Sequence, residues 1–209
     1  AEAALLALKV CDPATGSGHF LVAAANRLAK HLAAIRTGED EPSPEAQRDA
    51  LRDVVGRCLY GVDLNPMAVE LAKISLWLEA HTPGKPLTFL DHHIKCGNSI
   101  IGTTPALIAR GIPDEAFQAI DKGDDQDDKK ACTSFKQRNR KLRAGQQTLS
   151  LHLLQHDLLE LSTRARKLSD MADDNPALLA AKERAYQDFA DSEEMRRQWL
   201  LADAWCATF

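Results

Sequence analysis

The sequence predicts an α/β protein with a partial parallel sheet, followed by a helical segment. Three observations predict it. Short apolar runs recur at Leu5–Asp12, Cys58–Val62 and His93–Cys96, each the length of a buried strand and bounded by turn residues. Stretches with apolar residues at helical spacing stand between them. After Gly102 the pattern gives way to charge clusters and then to leucine-rich stripes. Strands alternating with helices make a parallel sheet with right-handed crossovers the economical fold.

The run L-L-A-L-K-V-C-D predicts the first strand, over 5–12. After the loop P-A-T-G-S-G, Phe20, Leu21, Ala24, Leu28, Leu32 and Ile35 form one apolar helix face, with Gly38 as its stop. Residues 37–53 are polar and hold two prolines, which predicts a linker entering a short helix after Ser43 with Pro44 at its first position. A second strand ends at Asp63, and Asn65-Pro66 opens a helix whose stripe is Met67, Leu71, Ile74 and Leu78. Leu87–Leu90 is a short apolar piece, and His93–Cys96 is the third strand, running into Gly97-Asn98-Ser99.

Beyond Gly102, residues 103–148 read as a charged linker. It holds an acidic cluster (Asp121, Asp124, Asp125, Asp127, Asp128) and then a basic run from Lys129 to Arg143 with no acid in it. Residues 149–209 read as helices: Leu151, Leu154, Leu158 and Leu161 stripe the first, and Met195, Trp199 and Ala202 line the last. The expected organisation is therefore 1–102, 103–148 and 149–209.

Composition narrows the class. With 44% hydrophobic and 27% charged residues the chain is ordinary for a soluble globular protein. A formal net charge of −4 excludes a wholly basic nucleic-acid binder but leaves room for a locally basic face. No apolar run approaches the roughly 20 residues that cross a membrane, and Ala1–Leu8 lacks the basic flank and cleavage site of a signal peptide. The five cysteines are unpaired in number and widely spaced, which excludes a zinc or disulfide framework. Cys11, Cys58 and Cys96 fall in or beside the predicted strands and read as small core residues, as suits a reducing cytoplasm.

Three loops carry the chemistry, and all follow strand ends, where open parallel sheets bind ligands. In D-P-A-T-G-S-G-H-F-L, Gly16 and Gly18 permit a tight turn and close approach of a ligand to the backbone; a purely structural turn is the alternative. In G-V-D-L-N-P, Asp63 offers one carboxylate to both hydroxyls of a ribose, or caps the helix that follows. In I-K-C-G-N-S-I-I-G, Asn98 offers a carbonyl to an adenine amino group, or closes an Asx turn. A nicotinamide-dinucleotide site is disfavoured: the third fingerprint glycine is replaced by Leu21, and Asp63 lies far beyond the usual interval of about 20 residues. His92 and His93 read as loop residues rather than metal ligands.

These loops in this order resemble motifs I, II and III of amino-group DNA methyltransferases, and the nearest group is the large bacterial restriction–modification and phage-defence adenine methylases. The resemblance covers residues 8–102. It implies a Rossmann-like class I methyltransferase fold with a C-terminal helical insertion, S-adenosylmethionine as cofactor and double-stranded DNA as partner. It also implies residue roles. Asp12, Pro13, Ala14, Gly16, Ser17 and Gly18 would border the methionine part, and Phe20 would pack near the pocket. Asp63 would hold the ribose, Leu64 would lie on the adenine ring, and Asn98 and Ser99 would face its amino group. The basic residues Lys136, Arg138, Arg140 and Arg143 either contact DNA phosphates or form a solvated loop.

The chain departs from that family in one respect. The catalytic motif, Asp or Asn followed by Pro-Pro and an aromatic, is absent: Asp12-Pro13, Asn65-Pro66 and Asn175-Pro176 are each followed by a non-proline. No residue here is therefore expected to be catalytic, and the chain reads as a fragment inactive by itself. Glutamine-amide methylation of a protein, or a non-catalytic cofactor-binding module, are the competing readings.

Overall fold

A computed structural model describes residues 1–118, 126–146 and 150–207, with the side chains of 145–157 outside that description. Three parallel strands, β1 (Val10–Asp12), β2 (Leu59–Asp63) and β3 (Ile94–Cys96), form a sheet in the order β1-β2-β3. Val10 pairs with Leu59 and Gly61 with Ile94, so the strand ends Asp12, Asp63 and Cys96 advance along one edge. The molecule is thus a mixed α/β protein with a small parallel sheet and many helices.

The first strand is shorter than its apolar run predicts. Glu2–Leu6 forms a helix, α1, and only Val10–Asp12 is extended. Alanine and leucine with an acid in the first turn favour helix, and Leu5 and Leu6 pack on the core from there. Helix α2 (His19–Thr37) ends at Gly38, which takes the left-handed conformation at φ 73°. Its buried face is Leu21, Ala25, Ala29, Leu32 and Ala33, whereas Phe20 and Ile35, expected on that face, are exposed. Helix α3 (Pro44–Arg57) starts as predicted, with Ser43 Oγ accepting from Ala46 N and Pro44 in the first turn, but runs 14 residues and buries Ala50, Leu51, Val54 and Val55. The expected short helix in a linker is a core element.

Helix α4 (Pro66–Glu79) is capped by Asn65, whose Oδ1 accepts from Met67 N. The predicted stripe Met67, Leu71, Ile74 and Leu78 is its exposed side, and the buried side is Val69, Ala72, Lys73 and Leu76. The core prefers the small Ala72 because Gly18 approaches it: a Cβ on Gly18 would sit 3.1 Å from Ala72 Cα. Lys73 joins the inner side by pairing with Asp91 and Glu70 at 2.6 and 2.8 Å. Of the cysteines expected in the core, Cys58 is buried, while Cys11 and Cys96 are exposed. Alternation along β1 turns Cys11 away from the helix-covered face.

The chain divides into two compact units, 1–100 with 165–189, and 101–164 with 190–209. The first therefore takes in residues from the segment expected as a separate helical extension. Helix α8 (Pro176–Ala190) places Lys182, 2% exposed, 3.5 Å from Asp173, and Asp173 also meets Arg52 of α3 at 3.3 Å. Burial lowers the Lys182 pKa, although Asp173 opposes that shift. Tyr186 of α8 packs edge-on against Phe89. His92 and His93, expected as loop residues, occupy the turn before β3, where His93 is only 2% exposed.

The second unit contains α5 (Pro105–Arg110), a short 3-10 turn at Asp114–Phe117, α6 (Gln126–Gln146), most of α7 (Ser150–Asp170) and α9 (Glu193–Cys206). Residues 126–146, expected in a charged linker, are one helix of 21 residues. In α7, Leu161 is buried and Leu158 half-buried as predicted. In α9, Trp199 is exposed, against expectation. Leu151 and Leu154, and the acids Asp121, Asp124 and Asp125, lie outside the described residues. No helix among the described residues is long and apolar enough to cross a membrane.

Candidate functional site

The loop after β1 turns because Asp12 Oδ1 accepts from Ala14 N at 3.0 Å and Thr15 N donates to Val62 O at 3.0 Å. This second bond ties the loop to β2. Thr15 reinforces it: its buried Oγ1 lies 3.0 Å from Asp12 O and 3.1 Å from Val62 O. The residue filling the space beneath Thr15 is Gly61, where a Cβ would come within 2.4 Å of Thr15 Oγ1. Neither Thr15 nor Gly61 is among the site residues expected from the sequence, although a lone glycine inside a strand signals such close approach.

Asp63 then joins two of the three loops. Its Oδ2 accepts from Gly16 N at 2.8 Å, and its Oδ1 accepts from Asn65 N at 2.9 Å. The N–H groups of Asn65, Gly16 and Leu64 hold the Asp63 carboxyl below the usual carboxylate range, so it is an acceptor-only anion at neutral pH. The third loop is anchored to the same residue, because Gly97 N donates to Asp63 O at 2.9 Å. Asn98 follows, exposed, and its Oδ1 accepts from Ile100 N at 2.9 Å. That is the Asx turn of the alternative reading.

The two glycines of the first loop differ. Gly16 has φ 54° and no atom within 4 Å of where a Cβ would lie, so its side toward solvent is open. Gly18 has φ 86° and is pressed against Ala72, so its missing side chain serves helix packing. Ser17 Oγ pairs with His19 Nδ1 at 2.8 Å. Pro13 and Ala14 are exposed, as are Phe20 (81%), Leu64 (71%) and Ser99.

An adenosyl ligand can be tested against these atoms. The Asp63 carboxylate, with about four acceptor positions, meets the amides of Gly16, Asn65 and Leu64 and keeps capacity for a hydroxyl. Asp12 Oδ2 is buried and accepts no hydrogen bond, although buried acceptors are normally satisfied. An orphaned anionic oxygen beside an open glycine turn suits a cationic or hydroxylic ligand. The residues present fit the group.

The basic run is sorted by an acid outside it. Asp114 Oδ2 meets Arg140 at 2.6 Å and Asp114 Oδ1 meets Arg143 at 2.5 Å. Lys136 lies half-buried on the same side of α6, and Arg138 is exposed. Asn139 Nδ2, donating to Ile112 O at 2.9 Å, completes that contact.

A glycine turn after one parallel strand, gripped by the carboxylate that ends the next, is a candidate strand-end site of the α/β kind. Comparison with known proteins makes it more specific. The MmeI DNA-methyltransferase domain matches residues 2–94, and the Eco57I restriction-modification methylase matches residues 57–191, about two thirds of the chain. The chain belongs to the Eco57I restriction-modification methylase family. It is 35% identical over 107 residues to a type II restriction enzyme and methyltransferase of Methanocaldococcus jannaschii, covering 46% of this chain and 9% of that protein. It is 38% identical over 105 residues to the adenine-specific methyltransferase PglX of Streptomyces coelicolor, covering 45% of this chain and 8% of that protein. The matched stretch thus spans under a tenth of the length of either relative. No solved structure matches the chain.

Proposed function

We propose that the strand-end site binds S-adenosylmethionine within a Rossmann-like class I methyltransferase fold, and that the whole polypeptide methylates the adenine amino group of double-stranded DNA in the cytoplasm. The observation that carries this reading is the Asp63 carboxylate, fixed by Gly16 N and Asn65 N at the tip of β2 with acceptor capacity to spare. The names of the relatives, a restriction–modification methyltransferase and an adenine-specific methyltransferase, support it over glutamine-amide methylation.

Asp63 accepts from the two ribose hydroxyls. Asp12, Pro13, Ala14, Gly16, Ser17 and Gly18 border the methionine portion, where the unpaired Asp12 Oδ2 faces positive charge. Leu64, exposed, lies on the adenine ring with Phe20 near the pocket, and the Asn98 carbonyl, beside Ser99, accepts from the adenine amino group. The cofactor supplies a methyl group on a sulfonium, open to in-line attack. The residues that would activate the target amine are absent from 1–209, so these residues alone transfer no methyl group. Of the basic run, Arg138 is left facing solvent for DNA phosphates, and Lys136, Arg140 and Arg143 shape the face that holds it.

Calorimetric titration of S-adenosylmethionine into this chain and its Asp63→Ala variant tests the reading. Saturable binding is expected, weakened at least about tenfold by the substitution, which removes the charged acceptor of both ribose hydroxyls. Absence of binding to the parent chain, or equal affinities with the fold intact by circular dichroism, would overturn it.

A further inference from the structure

Thr15 commits every hydrogen-bonding group it has to one corner of the strand-end site. Its N–H donates to Val62 O at 3.0 Å, and its carbonyl accepts from Gly18 N at 2.9 Å, closing a turn with Gly16 and Ser17 at the centre. Its hydroxyl has one proton, shared between Asp12 O at 3.0 Å and Val62 O at 3.1 Å. The hydroxyl thus joins the end of β1 to β2 beside both carboxylates of the site, Asp12 and Asp63.

Two features show that this corner is built. Regular pairing of β1 with β2 ends at Asp12 and Gly61. Thr15 N resumes it at Val62 O, and Gly16 N then reaches the next residue, at Asp63 Oδ2. The placement of Gly16 against Asp63 therefore follows from the placement of Thr15. The second feature is Gly61, which has no positive φ, so its missing side chain serves space and not turning. A Cβ there would lie 2.4 Å from Thr15 Oγ1 and 3.1 Å from Thr15 Cγ2. Branching at Cβ restricts the threonine to few rotamers, and this space admits the one that aims the hydroxyl at both carbonyls.

We propose that Thr15 is a positioning residue of the strand-end site, whose hydroxyl ties Asp12 to Val62 and so holds the Gly16 N–H on the Asp63 carboxylate. Thr15 is 4% exposed, so it acts through Gly16 and Asp63 and not on the cofactor itself. Its effect on affinity rests on the S-adenosylmethionine reading, whereas its hold on Gly16 does not.

Backbone-amide NMR of this chain without cofactor tests the hold. Asn65 N, which donates to Asp63 Oδ1, is the internal reference. Thr15→Val keeps the shape and removes the hydroxyl. It is expected to shift the Gly16 amide resonance and to speed its hydrogen exchange about fivefold, the worth of one neutral hydrogen bond, with Asn65 unchanged. Thr15→Ser keeps the hydroxyl and should behave as the parent. A threonine that only fills space gives the reverse order, with valine like the parent and serine altered, and that order would refute the proposal. So would an unchanged Gly16 amide in Thr15→Val, or equal changes at Gly16 and Asn65. Should Thr15→Val fail to fold, Thr15→Ser against Thr15→Ala makes the same comparison, since the two differ by the hydroxyl alone. Calorimetry with S-adenosylmethionine then reads the consequence: affinity about fivefold weaker for the variant without the hydroxyl and close to the parent for serine. Equal affinities despite a released Gly16 would overturn the link to binding. No binding by the parent, with Gly16 responding as expected, would sink the cofactor reading and uphold the positioning.

Discussion

Two clusters in this chain share one composition and differ in setting. In each, a single carboxylate stands between two cations. Asp173 meets Arg52 at 3.3 Å and Lys182 at 3.5 Å, with side chains 12%, 6% and 3% exposed. Asp114 meets Arg140 at 2.6 Å and Arg143 at 2.5 Å, with side chains 25%, 65% and 32% exposed. The shorter distances belong to the cluster with less at stake. Water can replace Asp114 beside its arginines, whereas Lys182, 3% exposed at its side chain, has no other carboxylate within reach among the described residues once Asp173 is gone. Burial outranks distance in setting the cost of losing a partner.

The largest effect therefore belongs to Asp173→Ala. It removes the only carboxylate beside buried Lys182 among the described residues, the side-chain acceptor of Phe89 N and the ionic partner of Arg52, which keeps the carbonyls of Pro86 and residue 173, at an expected loss of about 3 kcal/mol in urea unfolding. Because Asp173 also ties α8 to α3, native-state hydrogen exchange should rise along 176–189 first. A loss below about 1 kcal/mol would show that burial is not the deciding variable.

A second buried group sharpens the same point, since it has no ionic partner at all. Among the described residues, the buried ring nitrogens of His92 have no hydrogen-bond partner, the Leu59 backbone alone stands near those of His93, and the rings lie 4.0 Å apart. Burial pushes His92 down to about 3 and His93 to about 2, with Lys182 and Lys9 adding repulsion at both. In the unfolded chain each titrates near 6.5. Between these values the unfolded state binds protons that the folded state refuses, so stability falls as pH falls from about 6.5 toward 3 and is flat above. Each histidine contributes about 1.4 kcal/mol per pH unit, on the order of 2 kcal/mol by pH 5. The lowered carboxyls of Asp63 and Asp114 add their own loss only below about pH 4. Urea midpoints at pH 5 and 7 read the slope, and His93→Phe should roughly halve it. Identical midpoints at both values would mean that the pair is accessible to protons.

What the sequence disclosed follows from the range of the interactions. Asp63, Gly16 and Gly97 meet through backbone amides at adjacent strand ends, so their convergence follows from strand order and loop length alone. Ser43, Asn65 and Gly38 act within their own turns, and their caps were legible for the same reason. Helix α4 was misread because both of its faces are apolar, and periodicity cannot say which one meets the sheet. The small inner residue Ala72 answers to Gly18, a contact 54 residues away in the chain. The burial of His93 depends on Tyr60, whose ring lies 4.2 Å away on the neighbouring strand. Within the basic run, the sorting of arginines depends on Asp114, a single acid outside any charge cluster.

Asp114→Ala is the smallest expected effect and the sharpest control on the comparison. The substitution frees Arg140 and Arg143, but Asn139 still donates to Ile112 O and the Arg143 stem still packs on Gly111. The 3-10 turn at Asp114–Phe117 should therefore stay docked, with little change in thermal midpoint. What change there is should shrink as salt rises, because at about 1 M the screening length, about 3 Å, matches the ion-pair distance. The Asp173→Ala loss should persist at the same salt, since ions do not enter that cluster. Thermal unfolding of both variants at low and high salt separates the cases. A salt-insensitive loss at Asp114 as large as that at Asp173 would place the two clusters in one class and leave exposure without explanatory power.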